Sequence, residues 1–86
     1  MPTHVIQFRN GGRDDTHRYI SPDGDTTDAR DARLFDDRIT AQRWADAFAD
    51  EVFSGIMRDV RVVRLSGGLA CEARMRAALR PLTMDA

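Results

Sequence analysis

Carboxylates at Asp23, Asp25 and Asp28 fall within one turn-rich stretch, at a spacing that a calcium ion could use, because calcium collects several oxygen ligands from a flexible loop. An EF-hand loop begun at Asp23 needs Gly at its sixth position and Glu at its twelfth; Asp28 and Leu34 stand there instead. The three therefore read as solvated loop acids, and no metal is expected. Cys71 follows Ser66-Gly67-Gly68, small residues that present amides at a helix start, where a thiol pKa is lowered. A thiolate nucleophile also needs a base nearby, and the order of the chain does not bring His4 or His17 to it. Cys71 shares an apolar stripe with Met75, so a packed cysteine is the expectation. His4 and His17 lie on strand-like segments that could face one another, but two histidines alone do not make a zinc site. No catalytic set emerges, and neither an enzyme nor a cofactor is expected.

Charge is the other candidate chemistry. The net charge of −1 conceals an acidic stretch, residues 23–37 with six Asp against two Arg, and a basic one, residues 58–80 with six Arg against one Asp and one Glu. Asp23, Asp25, Asp28, Asp36 and Asp37 could imitate phosphates and occupy an arginine-lined groove on a protein partner, such as a host nucleoprotein complex. Alternatively, Arg58, Arg61, Arg64, Arg74, Arg76 and Arg80 could contact nucleic-acid phosphates, with Tyr19 or Phe8 as a stacking surface. A pI near 6.0 argues against a dedicated nucleic-acid binder. The plainest reading is that the two stretches neutralise each other in the fold. All thirteen basic residues are Arg and twelve of the fourteen acids are Asp, the bias expected of GC-rich codons rather than of a selected arginine chemistry.

These groups must be positioned by a few short elements. Residues 40–53 form the best-marked helix: Thr40 as N-cap, then Ala41, Trp44, Ala45, Phe48 and Val52 as one apolar stripe, expected to supply most of the core through the single Trp. Strands are predicted at about 4–9, 16–21, 32–35 and 59–65. Asn10-Gly11-Gly12 turns the first hairpin, whose tip Arg13-Asp14-Asp15 is polar. Residues 21–28 are turn formers and predict an exposed, mobile loop. Residues 28–33 offer a helical turn as the alternative to a third strand. In the last strand Val60, Val62 and Arg64 share one face and Arg61, Val63 and Leu65 the other, so it is interior or covered by a second layer. Residues 69–80 predict a second helix, with Cys71, Met75, Ala78, Leu79 and Leu82 as its buried stripe and Pro81 at its end.

The expected class is α+β: one domain over residues 1–86, a small mostly antiparallel sheet of three or four strands packed by a central helix, with a second helix at the C-terminus. A lone Cys excludes an intramolecular disulfide, and neither a signal-peptide pattern nor a run of roughly 18 apolar residues is present, so a cytoplasmic protein without membrane contact is expected. Monomer and homodimer both remain open. The segment Ala32-x-Leu34-Phe35, the helix Thr40-Ala41-x-x-Trp44-Ala45 and the strand Val60-x-Val62-Val63-x-Leu65 together resemble small phage- or prophage-encoded proteins, over about residues 3–65. Such proteins include anti-CRISPR inhibitors. The resemblance implies a stoichiometric protein-binding inhibitor that covers a site on a larger machine, and brings no active-site residues with it.

Overall fold

The computed structural model describes residues 2–11 and 16–84, without the side chains from residue 80 onward. Strand β1 (His4–Asn10) is built of Val, Ile and Phe alternating about polar groups, and pairs antiparallel with β2 (His17–Ser21) through Gln7↔Tyr19 and Arg9↔His17. The expected hairpin tip, Gly12 to Asp15, lies outside the described residues. Ser21-Pro22-Asp23-Gly24 then reverses the chain into β3 (Gly24–Thr26), which pairs Ile20↔Asp25 and Tyr19↔Thr26. The stretch expected to be a mobile loop is thus partly a strand, because its turn formers are concentrated enough to make a tight turn whose far limb reaches β2.

No strand forms over 32–35. Asp28 caps a 3-10 turn, Ala29–Asp31, by accepting from Arg30 N, and the alternative of a helical turn is the one realised. Phe35 keeps a single bridge to His4, with Phe35 N donating to His4 O at 2.9 Å. Ala32 and Leu34 face one side and Phe35 the other, so the segment serves as a crossover between two packed layers.

The central helix is shorter than its stripe. Asp37, not Thr40, is the N-cap, since its side chain accepts from Thr40 N at 2.7 Å and lets α1 (Arg38–Asp46) start two residues before Thr40. Phe48 N bonds to Ala45 O at 3.1 Å, a tightened last turn that swings Phe48 against the core and separates α1 from α2 (Ala49–Phe53). Ala41 and Ala45 are buried as expected. Trp44 remains 40% exposed, against the edge of Phe35 at 5.4 Å and under the guanidinium of Arg33 at 4.3 Å, so it is not the anchor of the core.

Strand β4 (Met57–Arg64) returns to pair antiparallel with β1, giving the order β3-β2-β1-β4. Between Arg9↔Arg58 and Gln7↔Arg61 it spends one residue more than β1, and Asp59 takes a left-handed φ of 53°. This bulge flips the parity, so Met57 joins Val60 and Val62 against α1. The strand is an edge, not interior, and its two apolar faces are explained by layers on both sides. Gly11 N donates to Ile56 O at 2.9 Å, and a Cβ on Gly11 would lie 1.4 Å from Gly55 O, so only glycine permits this approach.

The last helix, α3 (Gly67–Met84), runs past Pro81 rather than ending before it. It packs through Ala70 and Ala73 against Val5, Ala29, Ala32 and Leu65. The stripe expected to be buried faces out instead: Cys71 is exposed, as are Met75 (60%) and Leu79 (56%), and Leu82 lies outside the described side chains. The reason is spacing, because methyl groups let the helix approach β1 and the 3-10 turn more closely than Met or Leu would. The whole is an α+β domain, an antiparallel four-stranded sheet between α1 on one face and α3 on the other. Among the described residues no helix is long and apolar enough to cross a membrane.

Candidate functional site

The five acids singled out in the sequence have mostly structural work. Asp28 binds Arg30 at 2.9 Å and Arg76 at 3.5 Å. Hydrogen bonds from the Arg30 side chain and then its backbone N–H hold the Asp28 carboxyl at about 2, well below its usual 3.8. Asp37 is lowered by the Thr40 backbone N–H and hydroxyl that it caps. Asp25 lies 3.5 Å from Arg18 across the β2–β3 ladder. Asp23, at the tip of the turn, and Asp36, before the cap, are exposed and carry no ion pair among the described residues. The set is therefore spread over a turn, an edge strand and two helix caps.

The arginines are not gathered either. Arg58 stands opposite Arg9, Arg61 opposite Gln7 and Arg64 opposite His4, with Arg61 and Arg64 on different faces of β4. Arg74 borders a shallow cleft of about 500 Å³ with Pro2, Pro22, Leu34 and Asp36. Arg76 is held by Asp31 at 2.8 Å and by Asp28, while Arg30 reaches Glu72 at 3.1 Å. Acidic and basic stretches thus meet, in part, as the neutralising reading expects. The Arg80 side chain lies outside the described residues. Phe8 is buried, and the half-buried Tyr19 hydroxyl accepts from Gln7 Nε2 at 3.3 Å, so neither offers a stacking platform. His17 pairs opposite Arg9, which puts it about 16 Å along β1 from His4. Among the described residues no group of three His, Cys, Asp or Glu could hold a metal ion.

The most distinctive surface is one the sequence did not announce. Where α1, α2 and β4 meet, Gln42, Ala45, Asp46, Ala49, Val52, Phe53 and Val60 line an open groove of about 520 Å³. Phe53 forms its rim with 94% of its surface exposed, and Val52 and Ile56 are exposed nearby. The helix break places it there: Ala45, Ala49 and Phe53 recur every four residues beside the stripe of Ala41, Phe48 and Val52, and turning the chain at Phe48 leaves Ala49 and Phe53 exposed while Ala45 stays in the core. That secondary row was the available signal. Arg64, on the same sheet face as Val60 and Val62, and Asp50, in α2, are exposed without an ion pair among the described residues. Asp46 accepts from Gln42 Nε2 at 3.0 Å on the helical side. No family model, curated protein or solved structure matches the chain.

Proposed function

We propose that the chain is a non-enzymatic protein-binding module that docks through the face formed by α1, α2 and β4. The observation that carries the reading is Phe53, a large ring left almost wholly in water at the rim of an apolar groove. Burying such a ring recovers free energy on the order of 2 kcal/mol, and fully exposed aromatics beside a groove are typical anchors of protein interfaces. The partner is a protein surface that offers an apolar side chain to the groove, a recess to Phe53, and basic groups to Asp46 and Asp50. Docking by the acidic loops is the weaker route, since Asp28 and Asp37 are engaged in capping and Asp25 pairs with Arg18, which leaves Asp23 and Asp36 of the five uncommitted among the described residues.

The test compares capture by the wild type, by Phe53→Asp and by Asp23→Arg/Asp36→Arg, each first shown to be folded. Partners held by the wild type and the loop variant but lost with Phe53→Asp support this face. The opposite pattern transfers the function to the acidic loops and sinks the reading.

A further inference from the structure

We infer that the end of the sheet face that α3 leaves uncovered binds the phosphodiester backbone of single-stranded nucleic acid without reading its sequence. The site is independent of the docking face above, which lies on the other side of the sheet. Register assembles it. His17 pairs with Arg9 and Arg9 with Arg58, so one row across β2, β1 and β4 sets an imidazole and two guanidiniums on neighbouring strands. Tyr19, Gln7 and Arg61 form the next row of the same face, about 7 Å along the strands. Arg58 belongs to this face because of the bulge at Asp59; without the extra residue it would point towards α1. Arg9 lies far from the basic stretch in the chain and joins it only through the ladder.

Such a row is costly without an anion. Cross-strand neighbours hold their Cβ atoms about 5 Å apart, and like charges directly opposite each other destabilise a sheet. Asp59 meets Arg9 at 3.8 Å with its side chain 53% exposed, too long a contact for a hydrogen bond. The Arg9 Nε is closed to water without a hydrogen-bond partner, and the exposed Arg61 has no ion pair among the described residues. Phosphates laid over the row relieve the repulsion, and the planar guanidinium fork suits their oxygens. The cations lie along an open, twisted face, which a flexible single strand can follow with successive phosphates. Its bases are not read, because the Tyr19 hydroxyl already accepts from Gln7. The net charge of −1 is no obstacle: Asp36 and Asp37 follow Phe35, which bridges to His4 at the opposite end of β1.

The test is fluorescence anisotropy of a labelled, mixed-sequence single-stranded oligonucleotide titrated with the full chain at several salt concentrations. Binding with a Kd of about 1 to about 100 µM at low salt is expected, with log K falling against log salt at a slope of about −2, as for roughly three phosphate contacts. Each variant is first shown to keep the wild-type NMR dispersion. Arg61→Glu should weaken binding about tenfold, whereas Arg64→Glu, the same change of charge on the other face of β4, should weaken it by no more than about twofold. Asp59→Asn suits the left-handed φ of 53° and should tighten binding about threefold by releasing Arg9, a gain that a purely structural role for the row would not produce. Absence of low-salt binding, or equal losses from Arg61→Glu and Arg64→Glu, overturns the site. Equal binding of an acidic peptide of the same charge overturns the phosphate assignment. Neither result bears on docking at Phe53, which keeps its own test.

Discussion

The two faces of the sheet are closed by different means. Against α1 the contact is made of volume: Ile6, Phe8, Ile20, Phe35 and Met57 fill the space under two buried alanines, with Phe48, Val60 and Val62 at the margin. Against α3 it is made of proximity: Ala29, Ala32, Ala70 and Ala73 bring backbone elements together over Val5 and Leu65, and charges encircle the contact, with Asp28, Asp31 and Glu72 holding Arg30 and Arg76. A bulky layer is sensitive to what is taken out. A close-packed layer is sensitive to what is put in and, through its ion pairs, to acid.

The largest test of this contrast is Phe35→Ala, which empties a site that is 4% exposed and should cost about 3 to 5 kcal/mol, read as a lower urea midpoint. Ala73→Leu puts bulk where the residue is 0% exposed; a loss of about 1 to 3 kcal/mol is expected, with α3 amides exchanging faster than those of α1. A neutral result there would mean that α3 can back away from the sheet, and the contrast would fail. Asp28→Ala removes a cap and should cost about 1 kcal/mol by thermal unfolding near neutral pH. Because folding depresses the Asp28 pKa from 3.8 to about 2, its contribution is complete above about pH 4 and disappears as pH falls towards 2. Asp28→Asn keeps a capping oxygen but should flatten the acid dependence of stability in that window; an unchanged slope would assign acid sensitivity to other groups. The smallest effect is expected from Trp44→Ala, which loses the stack with Arg33 for about 0.5 to 1 kcal/mol.

The faces also differ in how readily they are foreseen. Val5, Ile6 and Phe8, and Val60, Val62 and Val63, announce strands through β-branched and aromatic side chains, and the apolar groups on both sides of β4 correctly imply a second layer. On α3 two stripes obey the same helical period, Ala70 with Ala73 and Met75 with Leu79. Hydropathy selects the second, but the narrow gap beside the 3-10 turn admits only the first, and a gap is a tertiary property. β3 was hidden because three residues of Gly, Asp and Thr have no strand signature of their own. Asp37 and Thr40 are both good caps by type, and only the reach of the Asp37 carboxylate to Thr40 N decides between them. The groove is harder still: no Gly or Pro marks the break between Asp46 and Ala49, and without the break Val52 belongs to the core and Phe53 attracts no notice.

The sheet order has a last consequence, for how the molecule is made. The strands β1, β2 and β3 follow one another along the chain and can meet as soon as they are synthesised, but the ladder from His4↔Arg64 to Asn10↔Met57 joins the first strand to one that comes after all the others and after both α1 and α2. Closing so long a loop must precede any reward from the pairing, which makes it the slow event of assembly. Until Arg64 has left the ribosome, one side of the earliest strand has nothing to pair with, and a nascent chain halted before that point would be the form most prone to aggregate.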